Sequence, residues 1–223
     1  MWCTYKYKWC TYKYKMCGKG GFVLLMLLLC MELNAQEACS TQMLKASYES
    51  VAESNGQESQ KRFFAAFPST GGDFDVLFGY HPCVGDSSLY DSYVEMIDDF
   101  WALRAIPDSV FYDKVVAITC GLRYDADAQS LWHGHLLDIL TRRDREAECL
   151  IDRVALLRRG HQMQFWSFVW SAIVDVDDGG KRDFHRAYIV GHYPRMAEIY
   201  DMAHQLFYDG INLSSISPRD CPN

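Results

Sequence analysis

Apolar residues return every three or four positions along most of this chain, and that period predicts amphipathic helices. Met43, Leu44, Tyr48 and Val51 stripe the otherwise polar stretch Gln36–Ser54. Asn55-Gly56 ends it, with the glycine suited to the left-handed conformation past a helix end. A second helix runs from Glu58 to Phe67 and stops at Pro68. Ser69 or Thr70 caps a third that reaches Gly79, although Gly71-Gly72 weakens its first turn. Phe63, Phe64, Phe67, Phe74, Phe78 and Tyr80 then face a common interior, and this aromatic hairpin is the expected nucleus of the fold.

The period continues beyond the loop His81–Asp86. Tyr90, Tyr93, Val94, Ile97, Phe100, Trp101 and Arg104 share one face, closed by Ala105-Ile106-Pro107. Asp108 or Ser109 caps the next helix, which turns Phe111, Val115, Ile118 and Leu122 inward. Asp125 starts another, striped by Ala128, Leu131, Trp132, Leu136, Ile139 and Leu140. Glu146–Arg159 follows, with Arg158 and Arg159 placed in the last turn to complement the helix dipole. Gly160 separates it from His161–Val174, whose aromatics cover nearly every side and predict the most enclosed helix. A short helix around residues 183–190 and a longer one from Pro194 to Tyr208 complete the set, leaving residues 209–223 as a tail. No stretch alternates with period two between turn signals. The expected fold class is all-α, a single domain of about eight packed helices over residues 36–223, as a bundle or short stacked array.

The first 35 residues read differently. The apolar run Gly20–Met31 follows lysines and precedes Glu32-Leu33-Asn34-Ala35, the order of a secretory signal, cleaved after Ala35. The run is shorter than the ~20 residues a membrane span needs. The duplicated heptapeptide Trp2–Lys8 and Trp9–Lys15 lies upstream, and Met16 is the alternative start. An exported chain, periplasmic or extracellular, is the expectation. A lipid anchor on Cys30 is the lesser alternative, because Leu29 stands where a small residue normally precedes the lipidated cysteine.

Removing the leader takes away five lysines and one glutamate, so the formal net charge moves from −7 to −11. That balance excludes a phosphate-neutralising nucleic-acid surface as the main partner. Cys39, Cys83, Cys120, Cys149 and Cys221 remain, an odd number that leaves at least one thiol unpaired. Cys39 and Cys221 lie near the two ends of the mature chain, and a disulfide between them is the expected bridge.

Phe67-Pro68-Ser69-Thr70 followed by Asp73-Phe74-Asp75-Val76-Leu77-Phe78-Gly79-Tyr80 resembles a motif of small exported helical proteins of Gram-negative bacteria, a family without an assigned activity. Tyr124-Asp125-Ala126-Asp127-Ala128 is similar to a later segment of the same family. The resemblance covers residues 60–135 and implies export and a helical fold, with no catalytic residue to carry over. Gly71-Gly72 departs from it, standing where bulkier residues are expected.

Candidate chemistry centres on Trp132-His133-Gly134-His135-Leu136-Leu137-Asp138. On a helix His133 and His135 point about 200° apart, whereas His135 and Asp138 share a face and could supply two metal ligands. A third would come from His161, or from His185, His192 or Glu148. The plainer expectation is an exposed His133 and a His135 hydrogen-bonded at the edge of the stripe. Asp175-Val176-Asp177-Asp178-Gly179-Gly180 begins like a calcium loop, but Arg186 occupies the twelfth place, where that loop needs a bidentate glutamate. No nucleophile elbow, phosphate-binding loop or dinucleotide fingerprint is present. The sequence therefore points to an exported interaction or structural module that binds a protein or cell-envelope component and needs no cofactor. The alternative is a small hydrolase using zinc or a similar divalent metal at His135, Asp138 and His161.

Overall fold

The structure, a computed structural model, describes residues 41–79, 89–124, 127–142, 144–171 and 181–208. The leader with Cys30, the Cys39–Cys221 pair, Cys83, Tyr80, the acidic loop at residues 175–180 and the tail from residue 209 lie outside them. The described residues are all-α, without a strand. Helix α1 covers residues 41–54. It is followed by α2 (Gln57–Ala66), α3 (Gly71–Phe78), one 3₁₀ turn (Tyr90–Ser92), α4 (Tyr93–Trp101) and α5 (Asp108–Gly121). The later helices are α6 (Ala128–Arg142), α7 (Arg145–Ala155), α8 (Arg159–Trp170), α9 (Lys181–His192) and α10 (Pro194–Tyr208). None of these is long and apolar enough to cross a membrane.

The aromatic hairpin is the centre of the core, as its spacing predicts. Phe63, Phe67, Phe74 and Phe78 are fully buried. Phe67 stacks on Phe100 of α4 with ring centroids 4.1 Å apart, and Trp132 of α6 reaches Phe74, Phe100 and Trp101 at 5.2, 5.5 and 4.9 Å. Such ring pairs add to the free energy of burying their large apolar areas. Within this cluster the Trp132 indole N–H is satisfied, donating to Thr119 Oγ1 at 3.1 Å. The Thr119 hydroxyl in turn donates to the Val115 carbonyl at 2.8 Å.

Helix α5 packs against α3, α7 and α8, while α6 packs against α4 and α7, and α10 against α8 and α9. Helix α8 buries Gln162, Met163, Phe165, Trp166, Phe168, Val169 and Trp170, so it is enclosed on most sides, as expected. All four described tryptophans are buried.

Several local expectations are corrected. Asn55, not Gly56, takes the left-handed conformation (φ 35°), while Gly56 is the extended residue before α2. Met43 and Val94 are exposed, and Met96 fills the core in Val94's place. Pro107 precedes α5 without a side-chain cap, and Asp108 is already helical. Helix α7 ends at Ala155, because Gln162 Nε2 donates to the Ala155 and Leu157 carbonyls at 3.2 and 3.1 Å and turns the chain back. Arg158 and Arg159 therefore stand at the start of α8 rather than the end of α7, and Gly160 is inside α8. The caps at Thr70 and Asp144 are side-chain ones: Thr70 Oγ1 accepts from the Asp73 amide, and Asp144 Oδ1 accepts from those of Glu146 and Ala147.

Candidate functional site

The histidines that drew attention in the sequence are used mainly as helix cross-links. His133 is 3% exposed and its Nε2–H donates to the Val169 carbonyl at 2.9 Å, tying α6 to α8. That corrects the expectation of an exposed His133, because the stripe on α6 is wide enough to include it beside Trp132 and Leu136. Burial holds its pKa below the ordinary imidazole range, only partly offset by the Val169 carbonyl. His185 donates to the Leu140 carbonyl, and His192 Nδ1–H to the Tyr188 carbonyl at 3.0 Å.

His135 does hydrogen-bond at the edge of the stripe. Its Nε2–H donates to Asp98 Oδ1 at 2.6 Å and its ring stacks on Trp101 at 5.5 Å, joining α6 to α4. One turn on, Asp138 is taken by Arg142, whose guanidinium also reaches Glu146 Oε2 at 3.1 Å. Hydrogen bonding to Asp138 raises the Arg142 pKa further. His161 is exposed, and its carbonyl accepts from Cys120 Sγ at 3.4 Å. His135 and Asp138 thus share a face as expected, but His161 does not join them. Among the described residues no group of three or more His, Cys, Asp or Glu side chains is placed to hold a metal ion. The physical reason is competition: each candidate ligand on α6 already has a nearer partner, Asp98 for His135 and Arg142 for Asp138.

What His135 and Asp138 do line is a cleft of about 350 Å³ where α4, α5 and α6 converge with the first turn of α7. A volume of that size suits a side chain or small ligand. Its apolar floor is Trp101, Phe111 and Tyr112, all nearly buried. Burial is the main cause of the strongly raised pKa of the Tyr112 phenol, which keeps it neutral. The Trp101 indole N–H is buried with no hydrogen-bond partner among the described residues, a donor whose desolvation costs about 1–3 kcal/mol when left unpaired. The helical period of α4 and α6 announced Trp101 and His135 singly. Their meeting with Asp108, Arg104 and Glu146 around one hollow had no signal in the linear sequence.

Three other side chains outside the cleft's lining are structural. Lys114 donates to the Phe64 and Phe67 carbonyls at the end of α2 and lies 4.5 Å from the Phe64 ring centre. Cys120 and Cys149 are unpaired thiols, and burial pushes Cys120 up to about 12, which keeps it protonated and unreactive. Comparison of the chain with known protein families, with curated proteins and with solved structures finds no match to any of them.

Proposed function

We propose that this chain is an exported helical interaction module, not an enzyme, and that the α4–α5–α6 cleft receives a partner protein or cell-envelope component. The observation that carries the reading is the chemistry of the cleft. Its ionic groups are largely committed to one another, His135 to Asp98 and Arg142 to Asp138 and Glu146, over an aromatic floor. Groups so paired are suited to recognition, whereas catalysis calls for an activated nucleophile beside a base or a converging set of ligands. The signal-like leader and the resemblance over residues 60–135 support export. Capture from the envelope of the source cell tests the reading, comparing the wild-type chain with Trp101→Ala and Arg142→Ala variants shown by circular dichroism to be folded. A partner held by the wild type and lost by the cleft variants is expected. An identical set of captured proteins for all three chains would overturn the cleft as the binding face.

A further inference from the structure

Acidic residues outnumber basic ones along this chain, 29 to 22, yet none falls between Asp152 and Asp175 or between Asp113 and Asp125. Folding brings these two acid-free stretches together. Helix α5 packs on α8, and Cys120 Sγ donates to the His161 carbonyl at 3.4 Å, joining the end of α5 to the first turn of α8. At the turn from α7 into α8, Arg158 and Arg159 are exposed, as is Arg123 three residues beyond Cys120. None of these three makes an ion pair among the described residues, whereas Arg153, earlier on α7, is answered by Asp113 at 3.6 Å.

Leu156 stands at the same turn. It closes α7 and is 74% exposed, more than any other large hydrophobic side chain among the described residues. Taking it out of water is favourable wherever a partner surface admits it.

A projecting apolar side chain beside unpaired arginines selects the occupant. The leucine needs a surface that yields to it, and a folded acidic protein would have to present a matching hollow. A bilayer with anionic headgroups yields in that way. The leucine enters the boundary between headgroups and acyl chains, and the guanidiniums meet phosphate oxygens. The chain's net charge of −7 does not prevent this, because charges more than roughly 8 Å apart in solvent are largely screened at physiological ionic strength.

We infer that the α7–α8 turn rests on an anionic membrane surface, with Leu156 in the lipid boundary and Arg158 and Arg159 on headgroup phosphates. The contact is peripheral, since no described helix is long and apolar enough to cross a membrane. This face lies apart from the cleft, so its failure leaves the docking reading of the cleft in place.

The test mixes the full chain with phosphatidylcholine vesicles, with and without phosphatidylglycerol. Flotation reads binding, and hydrogen–deuterium exchange of residues 153–161 reads where the chain touches. With phosphatidylglycerol at low salt the chain is expected to float and the turn to exchange more slowly. Folded Leu156→Ser and Arg158→Gln/Arg159→Gln variants should lose that protection. Lys45→Gln/Arg195→Gln, which removes the same charge from α1 and α10, should keep it. Flotation with the turn unprotected, as a chain held by its leader would show, overturns the inference, and so does no flotation at all. Loss of protection in the Lys45/Arg195 variant, or none in the turn variants, would mean general charge attraction and overturn it too. Protection by a polyglutamate peptide but not by the anionic vesicles would assign the turn to an acidic protein instead of a membrane.

Discussion

Gly71 and Gly121 meet backbone to backbone where α3 crosses the end of α5. A Cβ on Gly71 would stand 2.2 Å from the Gly121 carbonyl carbon and 2.4 Å from the Leu122 nitrogen. Neither glycine needs an unusual φ. They are glycines because two main chains occupy the space a methyl group would fill, and main chain cannot rotate away as a flexible side chain can. The Gly71-Gly72 pair that weakens a helix start on propensity alone is therefore half a packing device.

Gly71→Ala is expected to destabilise the fold by about 3 kcal/mol, at the upper end of overpacking costs, because α3 must shift off α5 and take the Phe74 and Phe78 rings with it. Gly72→Ala meets only Thr70 Oγ1 at 3.8 Å, and Gly134→Ala meets nothing within 4 Å. Both should stabilise by roughly 0.5–1 kcal/mol, the usual gain of alanine over glycine within a helix. Urea denaturation of the three variants checks the ranking, and a Gly71→Ala chain as stable as wild type would refute the close crossing.

His133 gives the fold an acid sensitivity. Its folded pKa is depressed below 6.5 by burial, so the unfolded chain takes up its proton first as pH falls. The stability it contributes is full above pH 6.5 and is lost on the way down through the folded value. His133→Gln keeps a donor near the Val169 carbonyl but cannot titrate. It should cost about 1 kcal/mol at pH 7.5 through imperfect replacement of the hydrogen bond. The gap to wild type should narrow as pH falls from 7 to 5, measured by denaturant melts. A gap that is constant with pH would show that His133 is not buried as a neutral ring.

Lys114 acts at the other end of the scale. Burial pulls its pKa from 10.5 down to about 8, while the Phe64 and Phe67 carbonyls hold the amine in place. Between pH 8 and 10.5 the folded chain binds fewer protons at this site than the unfolded chain, so its contribution to stability rises with pH across that window. Lys114→Met removes the titration. The stability of wild type relative to the variant should increase between pH 7.5 and 10, and comparing the two chains cancels the opposing effect of Cys120 above pH 9. An unchanged difference would place the ammonium in water rather than against α2.

The helices, most of their inner faces and the aromatic hairpin were legible in the sequence, because apolar period and punctuation by proline act within one or two turns. Pro194 to Tyr208 appears in the fold with those same ends. The end of α7 was missed because it is set by a polar side chain, Gln162, which reaches five and seven residues back to the Leu157 and Ala155 carbonyls, and an apolar period does not register that. In the cleft, Asp138, Arg142 and Glu146 are four residues apart along the chain, but only the convergence of α4, α5 and α6 brings Asp98, Arg104 and Asp108 to the same hollow.

The histidines show the division most plainly. Their spacing determined that His133 and His135 diverge on α6, because a helix advances 100° per residue. Which of them is enclosed, and which meets Asp98, was decided by α8 and α4 packing on either side. The linear chain likewise set Gly71 at the start of α3, where propensity alone counts it as a weakness. Tertiary packing made it a contact, since the space for a Cβ is taken by backbone fifty residues away. Short-range periodicity specifies helices, but the partners of their polar groups are chosen by chain segments that are neighbours only after folding.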